Sequence, residues 1–259
     1  MRGMIRRLTP IAGFVALFFS TAAYAADEEV QVYMDEINPA GKVGLDVHVN
    51  YVADGDGTLP YAGAESPLHR WRITPEFSLG LGGGFELGAY FPVATIARDS
   101  SARVLGAKAR LKWLAPHKDT GLFWGVNWEL GRVARRLDEN PWNSELKFIA
   151  GWRGGKWTLA ANGNLGFKVS GPVPAPATFE IATKIGYKVT PGLILGVESF
   201  NELGELRGFG PLSQTEHTTY LTADFALGGF DVNAGIGKGY GSNADSTVVK
   251  FVIGVPFGN

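Results

Sequence analysis

The chain of 259 residues has no cysteine, so neither a disulfide framework nor a thiolate metal site can organise it. Charge of one sign is also missing. The net charge is −1, which offers no electrostatic footprint for nucleic acid, and no such partner is expected. The four histidines, His48, His69, His117 and His217, are far apart in sequence. They show no ligand spacing, and neither metal nor cofactor is expected. Long apolar runs are absent as well: beyond residue 25 nothing approaches the ~18 residues of a spanning helix.

Arg2, Arg6 and Arg7 precede a short apolar run over 11–19, and Ala23 and Ala25 are small residues placed for cleavage after Ala25. This is the pattern of a secretory signal peptide, and its apolar part is too short to span a bilayer. Residues 1–25 are therefore read as signal peptide, 26–42 as an N-terminal segment in the periplasm or in a lumen, and 43–259 as one barrel domain.

What the chain does have is glycine, 36 residues against a usual share of about 7%, and 12% aromatics. It also alternates. Over 70–93, Trp71, Ile73, Phe77 and Leu79 share one parity against Arg70, Arg72, Thr74, Glu76 and Ser78. After Gly82, Gly83 and Gly84, the run Phe85, Leu87, Ala89, Phe91 stands against Glu86, Gly88 and Tyr90. Successive strand side chains point to opposite faces, so this is a two-faced hairpin. Pro75 interrupts it and is expected to mark a bulge.

The same pattern recurs along the chain. One face is polar: Asp46, His48, Arg70, Arg72, Glu76, Glu86, Lys108, Arg110, Glu129, Glu145, Lys147, Glu180, Lys184, Glu198, Asp224, Asp231 and Lys250. The other is apolar: Trp71, Phe77, Phe91, Trp124, Trp128, Trp157, Phe179, Phe225, Phe251 and Phe257, with Leu105 on the same parity as Ala107 and Leu111. Short connections near 80–84, 115–120, 154–155, 190–192 and 228–229 alternate with longer ones. Bacterial outer-membrane barrels have short periplasmic turns, longer external loops and even strand numbers. The expectation is an all-β, transmembrane, antiparallel up-and-down barrel of about 12 strands, porin-like, in a Gram-negative outer membrane. Its lipid and the barrel-assembly machinery would then be partners. A secreted β-sandwich competes, but Gly44, Gly88, Gly125 and Gly151 crowd the polar face. Glycine weakens a solvated strand, whereas a lumen uses it to make room for long charged side chains.

Ile-Thr-Pro-Glu-Phe-Ser-Leu-Gly-Leu from Ile73 and Phe-Glu-Leu-Gly-Ala-Tyr-Phe-Pro from Phe85 resemble the outer-membrane barrels of the MetA-pathway phenol-degradation family, often called transporters. The resemblance is densest over 43–93. It implies an outer-membrane barrel passing small organic or aromatic solutes, and it brings no catalytic residues. On that reading the charged inner face is either a stiffening lattice or a solute-selecting constriction. With Lys112, Arg153 and Lys188 on the same face its bases slightly outnumber its acids, so mild anion preference is expected.

Two other classes stay open. Ser199 and Asn201 share the apolar parity of one strand, and His217 that of the next. A lipid hydrolase would need that Ser and His joined, with Asn201 orienting. A non-conducting structural or adhesive barrel would use the loops over 53–68 and 202–216. Gly82–84 is no phosphate loop, since neither Lys-Ser/Thr nor a helix follows.

Overall fold

The computed structural model describes residues 29–59, 61–97, 101–173, 175–243 and 245–256. The expected signal peptide and Phe257 lie outside the described residues. Every regular element is a strand. They run β1 (Val43–Gly55), β2 (Trp71–Gly82), β3 (Phe85–Ile96), β4 (Ala102–Leu114), β5 (Gly121–Val133), β6 (Trp142–Gly154), β7 (Trp157–Ser170), β8 (Thr178–Thr190) and β9 (Leu193–Glu205). Then follow β10 (Gly208–Phe209), β11 (Glu216–Leu227), β12 (Phe230–Gly241) and β13 (Asp245–Val255).

Each strand pairs antiparallel with its sequence neighbour, β9 pairs with both β8 and β11, and β1 pairs with β13 from Leu45↔Val255 to Gly55↔Asp245. The twelve long strands therefore close into a ring with no free edge, which pairs their backbone donors and acceptors apart from the breaks in register. The two-residue β10 only extends one connection by pairing with the end of β9. The two-residue turns all fall at one end of the barrel, together with the 115–120 connection, and the other end carries the longer connections except for the short 242–244 link between β12 and β13. Gly228 and Gly229, at φ 59° and 91°, supply the two positive-φ positions that a tight hairpin with right-handed strand twist requires.

Large apolar side chains point away from the ring. Phe91 is 58% exposed, Trp124 56%, Leu122 79% and Leu221 66%. An apolar belt of that extent matches the hydrocarbon layer of a bilayer.

One hairpin departs from the expected parity. Ile73 pairs with Ala94 and Glu76 with Tyr90, so β3 carries one more residue than β2 over this stretch. Pro75 has no N–H to donate, but its pairing with Val47 on the β1 side is regular. The irregularity at Pro75 therefore sits on the facing strand β3. A matching shift in β4 follows, where Val93 pairs with Gly106 and Ala94 with Val104. The extra residues turn Val93 and Leu105 inward, 0% and 6% exposed, so Leu105 does not sit outward as strict alternation predicts. They pack with Val133 and Leu137 beneath the 134–140 connection, narrowing the long-loop end.

The main core lies inside the ring. Val30, Val32, Tyr33 and Met34 of the N-terminal segment pack against Leu114, Phe123, Ile149, Ala160, Phe200, Tyr220 and Val248, which are inward residues of seven strands or strand ends.

Candidate functional site in the barrel lumen

Residues 29–38 run inside the barrel without joining its sheet, and the exposed residues 39–42 lead from there to β1. A peptide away from a ladder must find other partners for its N–H and C=O groups. Here wall side chains provide them. Asn162 Nδ2 donates to Tyr33 O at 2.9 Å, and Tyr33 N donates to Asn162 Oδ1 at 2.6 Å, a two-point clamp on one residue. Lys250 Nζ donates to Val30 O at 2.9 Å and Lys112 Nζ to Glu36 O at 2.7 Å. Asn38 N donates to Glu86 Oε2 at 2.7 Å. Among the described residues backbone meets backbone only at the short-turn end, with Gly41 N donating to Gly80 O and Gly80 N to Lys42 O.

Tyr33 is the centre of this arrangement. Its hydroxyl is bonded to that of Tyr90 and lies 3.4 Å from Glu129 Oε1. Its ring has Lys147 Nζ at 4.9 Å, Lys112 Nζ at 5.2 Å and the Arg110 guanidinium at 5.9 Å from the centroid. Cations at such distances are attracted to the ring face. Nearer the short turns, Arg153 Nε donates to both oxygens of Asp35 at 2.9 and 3.0 Å.

The wall charges form connected groups. Arg110 bridges Glu76 and Glu86, the latter at 2.7 Å, and His48 Nε2 lies 3.0 Å from Glu76 Oε2. Lys147 meets Glu129 at 2.8 Å, and also Glu145. Lys184 joins Glu198 at 3.0 Å to Asp224 at 2.9 Å, and Lys250 caps the other side of Glu198. Buried ions need such compensation, because lone ones are prohibitively costly to desolvate.

Of the polar-face residues read from sequence, His48, Arg72, Glu76, Glu86, Arg110, Glu129, Lys147, Lys184, Glu198 and Lys250 are buried inside the ring. Asp46, Lys108, Glu145, Glu180 and Asp224 are half-buried. Arg70 precedes β2 and pairs at 3.2 Å with Glu65, a buried residue of the first long loop. Asp231 is exposed at the short-turn end. On the other parity, Trp71, Phe77, Phe91, Trp124, Trp128 and Trp157 are exposed, while Phe179, Phe225 and Phe251 are half-exposed. Sequence reasoning did not single out Tyr33, Tyr90 or Asn162. The available signal was the apolar residues on the polar parity, Phe123, Ile149 and Val248, which have no reason to face an aqueous pore.

Two cavities flank the segment. One of about 250 Å³ opens toward the long loops and includes Glu29, Gln31, Glu145 and Lys168 in its lining. The other, about 740 Å³, lies toward the short turns and includes Tyr33, Met34, Asp46 and Asp231.

Ser199, Asn201 and His217 do come close, but not as a nucleophile and base. Asn201 Nδ2 donates to Ser199 Oγ at 2.9 Å, and Asn201 Oδ1 lies 3.1 Å from His217 Nδ1, so the amide stands between the two. Ser199 pairs with Thr219 and His217 with Asn201 across the strands, a diagonal separation of about 7–8 Å. His217 Nε2 is taken up by Thr215 and by the Leu212 carbonyl, and the side chain is 1% exposed.

No family model matches the sequence, and no curated protein is a significant sequence match. Solved structures do match. The COG4313 outer membrane channel from Pseudomonas putida F1 aligns with TM-score 0.58 and 14% identity, over 88% of this chain and all of that one (100%). KdgM porin aligns with TM-score 0.55 and 12% identity, over 83% and 99%. NanC porin aligns with TM-score 0.53 and 10% identity, over 83% and 100%. The chain has the fold of outer-membrane channels. At these identities the likeness concerns the barrel and says nothing of the solute.

Proposed function

We propose that this protein is an outer-membrane channel for small solutes and that residues 29–42 are its resident plug. The observation that carries the reading is the way the segment is held. From Val30 to Asn38 its backbone is bonded by side chains of the wall and not by a strand ladder, so it can leave without unzipping the barrel. A closed ring with an apolar belt and a charged interior is the architecture of a membrane pore.

The vacated site suits a small organic solute with a polar-substituted ring. Asn162, Tyr90 and Glu129 supply donors and acceptors, and Lys147, Lys112 and Arg110 surround the place where the Tyr33 ring sits. Pockets for such molecules combine apolar lining with a few placed polar groups. The resemblance of the 70–93 hairpin to the MetA-pathway phenol-degradation barrels points the same way. A lipid-hydrolase reading finds no support in the order Ser199–Asn201–His217.

Flux into proteoliposomes tests the proposal. Hydroxylated aromatics and small carboxylates are expected to enter faster than into protein-free liposomes, and faster still when residues 29–40 are deleted. Flux equal to that of empty liposomes with both proteins would refute it.

A further inference from the structure

The charged groups of the lumen mostly pair acid with base, but one corner is built differently. Where the segment meets β1 and β2, the carboxylates of Glu29 and Glu76 and the imidazole of His48 each offer a ligand atom, all within 4.8 Å of one another. His48 and Glu76 are each 2% exposed. Arg110 engages Oε1 of Glu76, leaving Oε2 toward His48 at 3.0 Å. Lys147 lies 3.9 Å from Glu29 but is drawn closer to Glu129 and Glu145. Within this corner Glu29 Oε1 and His48 Nδ1 are buried and have no hydrogen-bond partner. Buried polar atoms are nearly always satisfied, and Glu29 Oε1 is the orphan that an ion here would satisfy; His48 faces Glu76 through Nε2, so its unpartnered Nδ1 lies on the far side of the ring, outside the site.

We propose that Glu29, His48 and Glu76 form a binding site for a divalent transition-metal ion, with zinc fitting the donor set best. One imidazole and two carboxylates, with a fourth position open to water, is a recurrent zinc environment. Bonds of about 2.0–2.2 Å set tetrahedral ligand atoms about 3.3 Å apart. The separations here, from 3.0 Å up to 4.8 Å, bracket that value, so the ion needs only small side-chain adjustments. The carboxylates supply charge compensation, and the Arg110 and Lys147 cations are already neutralised by Glu86, Glu129 and Glu145. Magnesium fits less well, because it favours an octahedron of oxygens.

The site joins two bodies. Glu29 belongs to the segment, whereas His48 and Glu76 belong to the wall. A bound ion therefore ties the segment to β1 and β2 and favours its docked position. This consequence rests on the plug reading, while metal binding itself does not.

Isothermal titration of the chelator-treated full-length mature protein in detergent with zinc chloride provides the test. One zinc per chain is expected, with affinity at least tenfold weaker in His48→Ala and in Glu29→Gln and unchanged in His69→Ala, an exposed loop residue. Glu29→Gln leaves the barrel wall intact, so loss of binding there cannot come from a misfolded barrel, and heat-modifiable migration checks His48→Ala. Failure of the wild type to bind zinc, or equal binding by the His48→Ala and Glu29→Gln variants, overturns the site. In planar bilayers zinc is expected to lower the opening frequency of the wild type and not of Glu29→Gln. If zinc binds as stated but leaves the openings of both proteins equal, the clamp is overturned and the site stands.

Discussion

Lys250 shows what single residues contribute to this lumen. Its side chain is 1% exposed, it caps Glu198, and it donates to the Val30 carbonyl. Removing one partner of a buried ion pair costs on the order of 3–5 kcal/mol, because the other charge stays buried. Lys184 still holds Glu198, so Lys250→Met is expected near the lower end of that range in denaturant unfolding from lipid. Arg135→Ala is the contrast. Arg135 is 62% and Glu139 30% exposed at the side chain, and exposed pairs contribute roughly 0–1 kcal/mol. If the two substitutions cost the same, the assignment of Lys250 as a buried strut is wrong. Tyr61, in the first long loop, gives a pH signature. Its hydroxyl donates to the Arg135 carbonyl at 2.7 Å, and burial, with Asp138 and Glu139 nearby, pushes the phenol up to about 12. The folded value lies above the unfolded one, so the stabilisation is complete below about pH 10 and is lost as pH rises toward 12. The phenolate absorbance missing from Tyr61→Phe is expected to titrate near 12, and a midpoint at the ordinary tyrosine value would contradict the tether.

At the scale of elements, β2 shows how wall and segment are matched. A Cβ built on Gly80 would lie 2.2 Å from the Asn38 carbonyl oxygen and 2.3 Å from that of Pro39. Both are backbone atoms of the segment, so Gly80→Ala cannot be absorbed by a rotamer change. It is expected to push residues 38–41 off the wall and raise basal solute flux while leaving the barrel's melting behaviour within about 1 kcal/mol of the parent. Unchanged flux would mean that the segment's seat on β2 does not matter for closure. The strands themselves were legible, because alternation reports which face meets lipid and the lengths of the connections report direction. Leu105 was not, because a bulge inverts parity for the rest of a strand. Pro75 announced an irregularity but not that β3 carries the extra residue. The 29–36 stretch alternates in sequence, Val30, Val32 and Met34 against Gln31, Tyr33 and Asp35, yet an alternating segment that docks inside a barrel is buried on both faces, and its own pattern does not reveal that. Tyr33 was thus missed.

For the whole molecule, the segment decides whether the ring is a filled cylinder or a pore. The wall alone carries slightly more bases than acids, as read from its strands. Docked inside it, Glu29, Asp35 and Glu36 add acids and tip the balance. Deleting the segment therefore removes a barrier and also shifts the reversal potential toward anions. Planar-bilayer recording of the mature chain beside a variant lacking residues 29–40 addresses the central claim most directly. The intact chain is predicted to show rare or small openings, and the shortened one frequent, larger, anion-preferring steps. Identical conductance and selectivity from the two proteins would contradict the assignment of this segment as the plug.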